Sequence, residues 1–392
     1  MPYALRAARL FDGVGDEPLL DPVIVVDGER IAAVGHEAPD GLAVIDLGDV
    51  MLLPGLIDVH VHLTFDGSLD PVGSLAQAPD EQVLEGMRKA ARTALAAGIT
   101  TVRDLGDRNY LSLLIRAETA ADPAAGPHIV AAGPPITTTK GHCWYLGGEA
   151  DGVDGVRAAV REHAARGVDV IKVMASGGEL TPGTHSHEVA YSALELKAIA
   201  EEAHGLGLPV AGHAHAAEAV ANAIAAGFDS IEHCTFLGEE GLSDRPDVLE
   251  ALARSGAVVS ATLGIKPGAT PVARIAALLP LLMDHFRRVY ALGVPIVVST
   301  DAGIGPQKPF DILPQAAEMF ATVLGTRPAE ALRAVTSVPA RVCRLGDRKG
   351  RLAPGYDADI LAVAGDPLTD ITALQQVRAV YRLGRDVSST AG

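Results

Sequence analysis

The spacing of apolar residues along the chain changes character twice. From Tyr3 to about Pro54 the apolar runs are short: Ala4 to Leu10, Val23 to Val26, Ile31 to Val34 and Met51 to Leu53. Gly, Asp and Pro break them up, the pattern of brief strands and tight turns. The far end repeats it, with Asp359 to Val363 and Val377 to Leu383 on either side of an Asp366-Pro367 turn. Between these ends eight strand-like runs recur: Leu56 to Leu63, Thr100 to Leu105, His128 to Ala132, Val168 to Ala175, Leu208 to Ala214, Ser230 to Thr235, Ala257 to Leu263 and Pro295 to Thr300. Segments with an apolar period near 3.6 separate them, among them Asp80 to Ala97, Asp154 to Ala165, Ser192 to Gly205 and Ala216 to Ala226. Helix-stopping glycines, such as Gly98, Gly167, Gly207 and Gly227, precede several of the runs.

Eight strand-helix units with nearly unbroken apolar strands predict a closed, parallel (β/α)8 TIM barrel over residues 55–344, because such strands are buried on both faces. Residues 1–54 and 345–392 are expected to meet in one small β-sandwich. An open, doubly wound sheet is the competing architecture, and the position of the polar residues decides between the two.

Composition narrows the function. The 392 residues are 48% hydrophobic and 21% charged, enough for a large core. A formal net charge of -17 argues against nucleic acid or an anionic membrane as partner, since an acidic surface repels phosphate. Cys143, Cys234 and Cys343 are odd in number and far apart, which fits a reducing compartment. The first dozen residues lack the apolar core of a signal peptide, and no apolar run reaches membrane-spanning length. A cytoplasmic protein acting on a small molecule is the expectation, with homo-oligomerisation left open.

The candidate chemistry sits at the ends of the predicted strands. His60 and His62 lie two residues apart in Asp58-Val59-His60-Val61-His62, so on a strand both imidazoles leave the same face. Lys172, His213, His233 and Asp301 close four further strands. Each alone reads as a polar group satisfied within the core. Six of them at one rim of a barrel, each costly to bury unpaired, point to a shared metal centre.

The stretches Pro54-Gly55-Leu56-Ile57-Asp58-Val59-His60-Val61-His62, Ile171-Lys172-Val173-Met174-Ala175-Ser176-Gly177-Gly178, Gly212-His213-Ala214-His215, Ile231-Glu232-His233 and Ser299-Thr300-Asp301-Ala302-Gly303 together resemble the amidohydrolase superfamily. More narrowly they are similar to its prolidase-like and ochratoxinase-like branch, over nearly the whole chain. The resemblance implies two divalent ions, zinc above all, with His60, His62 and Asp301 on the buried one and His213 and His233 on the exposed one. A CO2-derived carbamate on Lys172 would bridge them. It implies hydrolysis of an amide by activated water, with Asp301 as general base and then acid. His142, in Lys140-Gly141-His142-Cys143-Trp144-Tyr145, is the nominated oxyanion donor, for which a solvated loop histidine is the plain alternative.

N-acyl amino acids or dipeptides are the implied substrates, with Lys140, His142, Tyr145 and His215 as the nearest contacts for them. Cyclic amides, lactones or esters form a second class, and a catalytically silent barrel a third. Imidazolonepropionase-like enzymes are disfavoured by Lys172 at the bridging position. His185-Ser186-His187 lies in a Thr-, Gly- and Pro-rich loop and reads as a lid, not a metal site. Cys234 reads as a small core residue, and Arg103-Asp104 as structural support.

Overall fold

The computed structural model describes residues 1–269 and 273–388. Three parallel strands, Leu56–Val61, Ile99–Asp104 and His128–Ala131, pair in that order. Five more, Ile171–Met174, Val210–Ala214, Ser230–His233, Val258–Thr262 and Ile296–Ser299, form a second parallel sheet. Two seams join these arcs into a ring. Ile136 bridges Val173, and Ala302 bridges Val61, both in parallel sense. The barrel is closed, which rules out the open sheet.

Helices between the strands begin and end where local chemistry directs. Ser192 caps Ala193–Gly205 through a box with Glu195, satisfying backbone N–H groups that the first turn leaves without partners. Gly167, at φ +84°, ends Gly152–Arg166 in the left-handed conformation that costs a glycine little. Inside the ring, side chains two residues apart share a face, so Val170 and Ala211 stand directly beneath Lys172 and His213. They belong to a separate apolar cluster that Ala340 and Cys343, from Ser337–Val342 and its C-cap, help to close. The barrel is therefore plugged at its base, and its polar residues gather at the other rim.

The chain ends form two facing sheets. One runs Arg30–Gly35, Val23–Asp27, Tyr3–Arg6, Ala43–Asp46; the other runs Arg385–Asp386, Val377–Arg382, Ile360–Ala364, Val50–Pro54, Arg9–Leu10, Leu19–Leu20. Leu5, Ile24, Val26, Leu52 and Ile360 pack between them. The apolar run expected as one strand over Ala4 to Leu10 is two strands in different sheets. Its backbone crosses over at Ala7 and Ala8, whose N–H groups donate to Pro22 O and Gly48 O. Val50–Pro54 pairs antiparallel with Ile360–Ala364, so the two ends share one sheet. Among the described residues no helix is long and apolar enough to cross a membrane.

Candidate metal centre

The seam between the last and first barrel strands creates half of the site. Asp301 N donates to His60 O at 2.8 Å, and His62 N to Ala302 O at 2.9 Å. That register sets Asp301 Oδ1 3.5 Å from His60 Nε2 and 3.3 Å from His62 Nε2. Asp301 adopts φ +61°, a left-handed conformation that side chains rarely take and that concentrates at working sites. His60, His62 and Asp301 form one group whose ligand atoms all lie within 4.8 Å of one another.

The other half comes from the fifth and sixth strands. His213, His215 and His233 form a second such group. Their ring centroids are 4.4 to 4.7 Å apart. His233 and Cys234 also take positive φ, +67° and +52°, where the sixth strand ends. The halves adjoin: the rings of His60 and His233 are 4.9 Å apart, and Lys172 Nζ lies 3.4 Å from His60 Nε2.

Neighbouring acceptors fix the tautomers of His60 and His62, and two threonine hydroxyls orient the rings of His233 and His215. His60 Nδ1 donates to Glu232 Oε2 at 2.9 Å and His62 Nδ1 to Gly106 O at 3.3 Å. His233 Nδ1 meets Thr262 Oγ1 at 2.9 Å, and His215 Nδ1 meets Thr235 Oγ1 at 2.8 Å. Oriented this way, the opposite ring nitrogens are available as metal ligands. Glu232 is itself held by Arg103 Nη2 at 2.8 Å and Ser230 Oγ at 2.6 Å. Burial opposes its ionisation, yet the Arg103 guanidinium and His60 keep its carboxyl far below the usual range.

Burial also disfavours the protonated form of several of these groups. It lowers His60 to about 4 and His142 to about 3, and holds His213 and His233 well below their ordinary value. The same desolvation brings Lys172 down to about 8. Asp301 goes the other way: burial would raise it, but His60, His62 and Lys308 outweigh that and hold it far below the carboxylate range. Imidazoles converging on one carboxylate and one depressed lysine are a donor set suited to divalent cations.

His62, Lys172, His213, His233 and Asp301 open into one cavity of about 300 Å³, which His142 and His215 also line. His142 is buried, its ring centroid 4.8 Å from that of His213, and its Nδ1 has no hydrogen-bond partner among the described residues. Lys140 and Tyr145 do not line the cavity. Lys140 is exposed on the loop, its backbone N–H bonded to Glu149, and the Tyr145 hydroxyl turns to Cys143 Sγ at 3.6 Å. The structure thus leaves both out of direct contact. In the loop after the fourth barrel strand Ser186 and Glu179 reach the cavity and hydrogen-bond at 2.8 Å, while His185 and His187 stack 5.5 Å apart and join neither histidine group. Cys234 is fully buried, and Arg103 also donates to Val59 O at 2.7 Å.

Sequence reasoning assigned no role to Glu232, Lys308 or Thr262. A carboxylate within a buried strand, two residues after Ser230, was the available signal for Glu232. Lys308 Nζ donates to Thr262 O and Leu263 O at 3.1 and 3.3 Å, contacts between distant loops that no local pattern announces.

Residues 51–387 match the amidohydrolase family. The chain belongs to that family. Within it, the chain is 30% identical to the ochratoxinase of Aspergillus niger, an alignment covering 96% of this chain and 84% of that protein. It is 28% identical to the imidazolonepropionase of Cereibacter sphaeroides (strain KD131), over 91% of each. The crystal structure of a Xaa-Pro dipeptidase with bound methionine in its active site superposes with a TM-score of 0.85 at 30% identity, covering 98% of this chain and 99% of that one. The chain is an amidohydrolase of the ochratoxinase-like and prolidase-like branch, and so an enzyme that hydrolyses carbon–nitrogen bonds.

Proposed function

We propose that this amidohydrolase cleaves the amide bond of N-acyl amino acids or dipeptides with a pair of divalent metal ions, zinc first among the candidates. The observation that carries the reading is the meeting of two ligand groups, His60, His62 and Asp301 with His213, His215 and His233, at a buried lysine. His60, His62 and Asp301 would hold one ion, and His213 and His233 the other. Lys172 would join them as a carbamate, since an amine brought down to about 8 has a far larger reactive free-base fraction near neutral pH than an ordinary lysine. The ions, when bound, supply Lewis acidity that polarises the carbonyl and makes water a better nucleophile.

The chain's own groups handle the protons. Asp301, ionised at all working pH values, accepts a proton from the attacking water and returns it to the leaving nitrogen. A C–O bond forms as the C–N bond breaks, and the products are a carboxylic acid and an amine. His142 is neutral, so its ring can donate a hydrogen bond to the developing oxyanion. His215 lines the substrate side. The Xaa-Pro dipeptidase among the similar structures supports a dipeptide-sized substrate, and the buried free thiols Cys143, Cys234 and Cys343 suit a reducing cytoplasm.

Elemental analysis of the purified protein, paired with a panel of N-acyl amino acids and dipeptides, tests this. About two metal ions per chain and turnover abolished by a chelator are expected. A protein that binds no metal and cleaves no amide would refute the reading.

A further inference from the structure

The cavity that holds the histidines also has an extensive apolar lining. Leu263 follows the seventh strand, Leu282, Met283 and Phe286 belong to Ala273–Ala291, and Met319 belongs to Leu313–Leu324. With Leu180 of the loop after the fourth barrel strand, these residues make an apolar wall in the space that Asp301 and the imidazoles also line. Three of the chain's 6 methionines, Met174, Met283 and Met319, face this one cavity.

Neither the metal ions nor a bare amide needs such a wall. Catalysis asks for donors and bases, whereas apolar lining pays off only if apolar substrate surface replaces water there. Methionine thioethers adapt to irregular shapes, so a wall rich in them sorts by size and polarity more than by one outline. Lys308 is tied to Thr262 O and Leu263 O and does not make this wall polar.

We infer that the wall formed by Leu263, Leu282, Met283, Phe286 and Met319 is a specificity subsite for a bulky apolar group, aromatic or long aliphatic, carried by the amide substrate. This inference rests on the proposed amide hydrolysis and names the substrate class within it. Small and charged amino-acid amides are correspondingly poor substrates. One large side chain moved from water into an apolar pocket favours its substrate by about ten- to a hundredfold.

The test compares the metal-loaded enzyme on N-acetylphenylalanine, N-phenylacetylalanine, N-acetylaspartate and N-acetylalanine. At least one of the first two should exceed N-acetylalanine in kcat/KM by about tenfold or more, and which one does so tells whether the apolar group lies on the amine or the acyl side. The aspartate compound should fall below the alanine one. Met283→Trp fills the subsite and should cut the apolar-over-alanine ratio at least several-fold, while Met283→Ala should move the preference toward the larger group. Each variant's thermal unfolding and metal content are measured alongside, so that a misfolded protein is recognised. Calorimetric binding of phenylalanine against alanine gives a readout independent of turnover. Hydrolysis with equal or better rates on small or charged substrates overturns the subsite and leaves amide hydrolysis standing. Tighter binding of phenylalanine without hydrolysis of any amide does the reverse. Neither preference in binding nor any hydrolysis overturns both.

Discussion

An asparagine at position 301 would keep an oxygen facing the Nε2 atoms of His60 and His62, now 3.5 and 3.3 Å from Asp301 Oδ1, but an amide cannot accept a proton. Asp301→Asn is therefore expected to retain its metal, measured by elemental analysis, while kcat falls by roughly 10²- to 10⁴-fold, the range a positioned general base supplies. Turnover close to that of the parent enzyme would take proton transfer away from Asp301. Asp107 offers a test of a different kind. Burial first, and the neighbouring Asp104 second, push its carboxyl up to about 7. The folded protein thus holds a proton that the unfolded chain gives up near pH ~4, so this contribution to stability is full below that pH and is lost as pH rises through about 7. Asparagine resembles the protonated acid and can still accept from Ser112 N. Asp107→Asn should flatten the decline, raising the melting temperature relative to the parent at pH 8 more than at pH 5; an equal effect at both would dismiss the shift. The residues legible from the sequence alone were those whose type clashed with an apolar strand: His60, His62, Lys172, His213, His233 and Asp301. Lys140 and Tyr145 were chosen for nearness in sequence on a loop, and loop geometry is set by contacts such as the Lys140 N–H bond to Glu149, which no periodicity carries.

Where the sixth strand ends, His233 and Cys234 both sit in the left-handed region, and the Cys234 carbonyl accepts from His285 Nε2 at 2.8 Å. His285 lies on Ala273–Ala291, so one hydrogen bond joins that helix to the backbone next to His233, a proposed metal ligand. His285→Leu should leave the buried carbonyl without its donor, a loss of roughly 1–3 kcal/mol, and allow His233 to drift. A lower metal content and a fall in kcat larger than the change in KM are expected, with His285→Gln, which keeps an N–H donor, recovering part of both. If the leucine variant matched the parent in metal and kcat, the bond would be incidental to the site. Elements of this kind were read from the sequence to different depths. Helices carried a period of 3.6 and capping residues such as Ser192, so Ser192 to Gly205 was placed within a residue of the observed Ala193–Gly205. The fourth barrel strand is shorter than its apolar run, Ile171–Met174 instead of Val168 to Ala175, because an apolar stretch continues into buried turns without a change of pattern. Ala4 to Leu10 failed to show its break for the same reason: residues on both sides of the crossover are buried, and pairing partners distant in sequence decide where each strand stops.

Barrel and sandwich share packing as well as a chain. The largest apolar cluster runs from barrel residues into Met51, Leu53, Leu361, Val363 and Val380 of the six-stranded sheet, and Arg382 Nη1 of that sheet donates to Thr119 O in the barrel helix Leu111–Ala121 at 2.6 Å. Gly98 marks one tight approach: at φ +82°, a Cβ there would lie 2.7 Å from Leu361 Cδ1. The sequence identified Gly98 as a helix stop but held no sign of this second duty, which depends on a residue near the other end of the chain. Gly98→Ala meets both a strained backbone and a collision at the junction, whereas Gly28→Ala, at φ +57° with nothing within 4 Å of its Cβ, meets the strain alone. The difference between the two variants isolates the junction. If the halves unfold as one unit, Gly98→Ala should lower a single calorimetric transition by about 1–4 °C beyond Gly28→Ala, as overpacking on the order of 1–3 kcal/mol implies for a chain of this length. Equal melting temperatures, or a sandwich that melts in a separate and earlier step, would show that the junction holds the two halves side by side without coupling their stability.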